Sequence, residues 1–466
     1  AERTGTVDIA VEPWQVDELN GLVEASSRLG VDHAMLDTQA IRAEVDSPTY
    51  LAGLWQRTGA AMVDPARLAW GLQRAARSLG VVFHENSPVR SIEKSGTGVE
   101  LHTDGGRVKA DRAVVATNAY RKPLPKIRRH VIPVYDHVLM TEPLSADQWS
   151  AIGWGNRQGL ADAGNQFHYY RRTADGRILW GGYDVRYHFG GRVGPSVEHH
   201  APTTRRLAEN FFHTFPQAEG LRFTHRWSGP IASTTRFTCA WGTTHAGRVS
   251  WAAGYTGLGV GASRFGARVA LDPADGIRTE RTQLQMVRHR PFPVPPEPAR
   301  WLAVQATRAA IKRADRREGR GGCGSAPSVG SASGSTASLS TLSPVYSKLS
   351  FWHDSLPGSV DQRPALPGGR DCDVAIIGAG FTGLWTAYHL ARIDPSLRIV
   401  VLERDVAGFG ASGRNGGWAL GEYGVSPMDI ARASSPESAV RQMRALYDSV
   451  DDIGRVTTAE GIDCHY

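Results

Sequence analysis

Cysteine is scarce: the 466 residues hold four, Cys239, Cys323, Cys372 and Cys464. They lie far apart with no metal-ligand or redox spacing, which excludes a zinc module or a disulfide framework and predicts a reducing, cytoplasmic compartment. Long apolar runs are missing too. None approaches the roughly 20 residues of a membrane-spanning helix, and no basic-then-apolar leader opens the sequence. The net charge of +7 is modest, and much of it sits in "RAAIKRADRREGR", Arg308 to Arg320. That run reads as a solvated helix end, so no nucleic-acid partner is expected. Hydrophobic content of 41% and charged content of 21% are ordinary for a globular chain.

Periodicity vanishes in one place. Within "GGCGSAPSVGSASGSTASLS", from Gly321 to Ser340, twelve of twenty residues are Gly or Ser. Composition therefore predicts a flexible linker over 321–341, with a mean span of roughly 25 Å.

What is present is a nucleotide-binding pattern. In "CDVAIIGAGFTG", Cys372 to Gly383, an apolar run suited to a strand buried on both faces leads into Gly378, Gly380 and Gly383. The first glycine permits a tight turn, the second admits a pyrophosphate close to the backbone, and the third lets the next helix pack on the strand. Phe381 and Thr382 lie within that turn, where the helix N-terminus favours a diphosphate. "RIVVLERD" then gives a second strand ending in Glu403, whose carboxylate suits ribose hydroxyls, with Arg404 beside it.

Further segments point to a flavin. "VAGFGASGRNGGW" supplies small residues and backbone amides at Gly410, Ala411, Ser412, Gly413, Arg414, Asn415, Gly416 and Gly417. Val89 is placed against adenine, and Ala116, Thr117 and Asn118 by the pyrophosphate. A second strand-to-helix junction carries Gly254, Gly257, Leu258, Gly259 and Val260. Its helix N-terminus would stabilise negative charge on a flavin pyrimidine ring.

The order of these parts is unusual, because the first glycine-rich turn normally opens such a chain. A circular permutation explains it, with a parent order of about Leu342 to Tyr466 followed by Ala1 to Arg320. Fusion of an unrelated domain is the alternative.

Taken in that permuted order, "DVAIIGAGFTGLWTAYHL", "VLERDVAGFGASGRNGG", "GAAMVDPARLAWGLQRAA", "AVVATNAY", "GYTGLGVGAS" and "RPFPVPPEP" resemble the FAD-dependent D-amino-acid-oxidase-like family. Within it they are similar to the gamma-glutamylputrescine-oxidase-like branch. The resemblance implies an α/β plus α+β fold. A Rossmann-like FAD domain of the glutathione-reductase type would comprise 342–466, 58–121 and 236–320. An antiparallel-sheet substrate domain would comprise 6–56 and 122–235. It also implies hydride transfer from the carbon bearing an amine to flavin N5, hydrolysis of the imine, and oxygen as acceptor giving hydrogen peroxide. A dehydrogenase using another acceptor or substrate, and a FAD-binding scaffold without turnover, are the alternatives. The sequence leaves the oligomeric state open, and FAD is expected to be non-covalent.

The chain departs from sarcosine-oxidase-like relatives at two lysine positions, matched here by Gly261 and Trp180. Candidate catalytic residues are His137 on a covering strand, Tyr183 on a hairpin and Tyr255 at the second glycine turn.

Overall fold

Alternation in "TVDIA" sets the first sheet. Val7 and Ile9 are fully buried, while Thr6 and Asp8 face the other way, as a period of two requires. The computed structural model describes residues 4–28, 33–120, 123–274, 278–318, 346–358 and 362–466. The expected linker, 321–341, and Cys323 lie outside them.

This covering sheet has eight strands, in the order Phe223–Ser233, Ile132–Thr141, Ile178–Gly182, His168–Arg172, Gly159–Asp162, Thr6–Ala10, Ala52–Gln56, His33–Leu36. Neighbours are antiparallel except Thr6–Ala10 and Gly159–Asp162, which run parallel. Its back face buries Val7, Ile9, Leu139, Tyr170 and Trp180 with Leu207, Phe211 and Phe215 from the helix Ala201–Thr214 and its C-cap. Trp180 meets Phe211 edge-on at 5.5 Å, and each such large side chain contributes about 1.5–3 kcal/mol by leaving water. The front face carries Thr6, Asp8, Leu54, Gln56, Val134, Asp136 and Val138 and opens on a cavity.

The second sheet runs Ala240–Thr244, Val249–Ala253, Gly106–Val115, Arg370–Ile377, Ile399–Leu402, Val82–His84. Along this row all pairings but the first are parallel, and Val89–Ser95 and Gly98–Thr103 extend the sheet off the row, pairing antiparallel with each other and, through Gly98–Thr103, with Gly106–Val115. The glycine-turn strand Arg370–Ile377 is central, and Ala375 to Ile377 are buried on both faces, as the unbroken apolar run predicts. The helices Phe381–Ile393, Gly259–Ala274 and Pro65–Ser78 pack beside it in one core. Asp64 caps the last of these by accepting from Arg67 N–H at 3.0 Å, with Pro65 at its first position.

The helix Ala299–Glu318, placed with the nucleotide part by sequence, contacts loops of the covering sheet. Arg308 pairs with Asp184 at 2.9 Å, and Asp315 accepts from Asn165 Nδ2 at 2.8 Å. Ion pairing along its polar face, invisible to periodicity, draws it there. Among the described residues no helix is long and apolar enough to cross a membrane.

Gly261, one of the two departures, has a steric reason. A Cβ there would lie 2.1 Å from the carbonyl oxygen of Leu420, on the strand Trp418–Leu420 that pairs with Ala60–Met62. Ser449 Oγ also donates to the Gly261 carbonyl at 2.8 Å, so helix and strand have no slack. Gly261→Ala should destabilise the fold by ~1–3 kcal/mol. Gly21→Ala, with nothing within 4 Å of the new carbon, should stabilise it by ~0.5–1 kcal/mol. Paired thermal melts check both.

Candidate active site

The two large sheets enclose a cavity of about 1220 Å³, larger than the roughly 300–1,000 Å³ that one small ligand occupies. At one end lies the turn after Ile377. Gly378 has φ +100°, a conformation that disfavours a Cβ, and an added Cβ would sit 2.9 Å from the Ala116 carbonyl oxygen. A Cβ on Gly380 would lie 3.0 Å from Ser412 Oγ, and one on Gly383 only 1.9 Å from the Gly378 carbonyl oxygen. The helix Phe381–Ile393 therefore starts hard against the turn. Its N-cap residue, Gly380, supplies no side-chain cap, so the amides of the first turn are left for other acceptors. Phe381 N–H donates to Ser412 Oγ at 2.9 Å.

Glu403 fixes this end. Its carboxylate accepts from Ala379 N–H at 2.7 Å and Asp405 N–H at 3.0 Å. Burial pushes its pKa up to about 7 in spite of those bonds. Arg404 lies over the Tyr120 ring at 4.7 Å.

The sequence-predicted flavin residues converge here. Gly378, Gly380, Phe381, Thr382, Glu403, Arg404, Gly410, Ala411, Ser412, Arg414, Asn415 and Gly416 line the cavity. From the other segments come Val89, Ala116, Thr117, Asn118, Gly257, Leu258, Gly259 and Val260. Asn118 Oδ1 accepts from Gly254 N–H at 2.9 Å, tying the second glycine turn to the segment 116–118.

Four glycines stand behind the wall instead. Gly383 packs on the turn, Gly254 against Thr234, Gly413 against His353 and Gly417 against the Val63 carbonyl. They allow close approach between elements.

The catalytic candidates divide. Tyr183 lines the cavity and stacks on His168 at 4.8 Å. Tyr255 also lines it, but Thr382 Oγ1 donates to its hydroxyl at 2.9 Å and burial raises its pKa well above the usual range. His137 does not reach the wall. It lies on the back face of Ile132–Thr141, where burial lowers its pKa to about 4, helped by the charges of His200 and Arg186. Trp180 is in the back core as well.

The residue that sequence reading missed is Asp136, one position before His137. It faces the cavity, accepts from Tyr169 Oη–H at 2.6 Å, and is raised to about 6 by burial. Both faces of "VYDHVL" are covered, so hydrophobic alternation gave no phase; the Asp itself was the available signal.

An uncapped helix N-terminus, glycines that admit backbone contact and a buried acceptor at a second strand end fit a flavin dinucleotide. Fold and cavity thus define a dinucleotide-binding oxidoreductase. A profile of the FAD dependent oxidoreductase family matches residues 1–272 and 373–466, and the chain belongs to that family, with FAD as its cofactor. It is 30% identical over 294 residues to the gamma-glutamylputrescine oxidoreductase of Escherichia coli, covering 62% of this chain and 66% of the relative. To the probable oxidoreductase OrdL of Haemophilus influenzae it is 29% identical over 282 residues, covering 58% and 61%. The chain thus spans less than two thirds of the length of these curated relatives. The crystal structure of iminodiacetate oxidase from Chelativorans sp. is similar with a TM-score of 0.51 at 16% identity, over 62% of this chain and 76% of that one. That likeness is one of fold.

Gly383→Ala should push the helix off its turn and abolish flavin retention. Absorbance of the purified variant in the flavin bands, with circular dichroism to confirm folding, measures this.

Proposed function

We propose that this protein oxidises the C–N bond of a small amine or amino acid, the substrate lying between the covering sheet and the second glycine turn. The observation that carries this reading is that the turn at Gly378–Gly383 and the front face bearing Asp136 and Tyr169 open on one cavity. Bound FAD supplies, at N5, the two-electron acceptor for the hydride on the carbon next to nitrogen. Asp136 takes the proton that an ammonium group must lose before hydride can leave, and Tyr169 holds that carboxylate in place. Water then adds to the imine, giving a carbonyl compound and free amine or ammonia. Oxygen is the proposed electron acceptor, yielding hydrogen peroxide; peroxide detection against reduction of an artificial dye separates this from a dehydrogenase. Non-covalent FAD and a reducing, cytoplasmic compartment are part of this reading; the buried thiols Cys239, Cys372 and Cys464 do not line the cavity. Tyr183 contributes wall, and Tyr255 positions the turn through its hydroxyl.

The expected outcome is bleaching of the flavin bands by amines under anaerobic conditions. Its rate should rise with pH through about 6 as Asp136 ionises. Asp136→Asn should slow reduction by about 10²-fold or more at neutral pH, with partial recovery at high pH where free amine is abundant in solution. No reduction by any primary or secondary amine would sink the reading.

We also propose that the chain is circularly permuted, with a FAD domain of 342–466, 58–121 and 236–320, whose last helix lies against loops of the covering sheet, and a substrate domain of 6–56 and 122–235. In support, the covering sheet draws its strands from 6–56 and 132–233 alone, and the family profile matches in two separate blocks. A chain re-ordered to run 342–466 and then 1–320 should bind FAD at least as tightly, measured by fluorescence quenching. Failure of that chain to fold would favour fusion.

A further inference from the structure

We propose that the far end of the cavity is an acidic subsite in which Asp8 and Glu422 hold the second, distal ammonium of a diamine substrate. This rests on the amine-oxidation reading above for the fate of the first nitrogen, but not for binding.

Asp8 projects from the front face of Thr6–Ala10, in register with Leu54 and Ala161. Glu422 follows the strand Trp418–Leu420 on the opposing wall, one residue after Gly421, whose N–H donates to the Gly59 carbonyl at 2.8 Å. Both side chains line the cavity and are exposed to its interior. Neither has an ion-pair or hydrogen-bond partner among the described residues.

The other charges on the wall are satisfied. Arg90 pairs with Asp104, Arg308 with Asp184, Arg404 with Asp405 and Arg414 with Glu198, at 2.5, 2.9, 2.6 and 2.8 Å. Asp162 is bonded to His168 Nδ1 at 2.6 Å, Asp136 to Tyr169, and Glu403 to two backbone amides. Among the described wall residues two carboxylates are left over, and each arginine already holds a carboxylate.

Enclosure by protein pushes Asp8 up to about 6 and Glu422 up to about 7, with the charge of Asp8 adding to the latter. A cation between them would relieve both burial and repulsion. A second observation marks the same wall. Gln442, on the helix Pro436–Ala459, is only 2% exposed and lines the cavity, yet its Oε1 has no donor among the described residues. An ammonium carries three donors and no acceptor, which is what two carboxylates and an orphan amide oxygen lack. Leu22, Leu54 and Leu446 add apolar wall that suits a methylene chain.

Calorimetric titration of the FAD-loaded protein with diaminobutane and with butylamine, alongside anaerobic reduction by each, tests this. Diaminobutane should bind at least about tenfold more tightly. Asp8→Asn and Glu422→Gln should each cut the ratio of diamine to monoamine affinity by about tenfold, while Glu142→Gln, at a carboxylate that pairs with Arg222 and does not line the cavity, should not alter it. Equal binding of the two amines by the unaltered protein, ratios unmoved in both variants, or tighter binding of an amino acid such as glycine would overturn the subsite. If diaminobutane binds in this charge-dependent way but no amine reduces the flavin, the subsite stands and the proposed reaction falls. Reduction without diamine preference gives the reverse.

Discussion

The Gly378 carbonyl oxygen occupies the space that a side chain on residue 383 would fill, 1.9 Å from where its Cβ would be. That contact sets where the helix Phe381–Ile393 begins, and hence where its free amides point. Glu403 secures the same corner from the neighbouring strand by accepting the Ala379 and Asp405 amides. Ser412 reaches back to Phe381 N–H, so the loop 408–417 is hung from the helix start. Gly413 and Gly417 then let that loop lie against His353 and the Val63 carbonyl. One close approach thus propagates through a chain of short contacts to a wall formed by segments far apart in sequence.

The nucleotide end was legible because each residue type there answers a local requirement. Positive φ demands glycine at 378 and a buried parallel strand demands an unbroken apolar run, while Glu403, read for ribose hydroxyls, has its two carboxylate oxygens on the Ala379 and Asp405 amides. The covering sheet was legible as strands but not as faces. In Ile132–Thr141 nearly every position from Pro133 on is covered, so residues 136 and 137 could not be told apart by hydropathy. His137 attracted a catalytic reading on chemistry alone, and the pleat turned it to the back. Long-range polar partners were illegible for a related reason. Nothing within the helix Ala299–Glu318 announces that Arg308 meets Asp184 or that Asp315 meets Asn165. Pairings between distant segments leave no periodic trace.

The Gly261 position shows how a motif departure acquires a structural cause. Backbone of the strand Trp418–Leu420 fills the space a lysine stem would need, since the Leu420 carbonyl is 2.1 Å from the site of a Cβ. The same strand places Glu422 on the wall two residues later. Losing a cation at one position and gaining an anion nearby change the local charge in the same direction.

That shift gives the cavity two electrostatic ends. Backbone amides and an uncapped helix start dominate where Gly378 and Ser412 lie, favouring phosphate oxygens. Asp8 and Glu422 dominate the other wall, where their mutual repulsion favours positive charge. Arg404 and Arg414 are each held by a carboxylate and by aromatic faces, Arg414 lying 4.7 Å from the Phe409 ring centroid. Those arginines cannot swing to neutralise the acidic end without abandoning partners that are themselves enclosed. A ligand must therefore satisfy the two ends separately, and the chemistry proposed here needs only that a dinucleotide take one and a cationic amine the other.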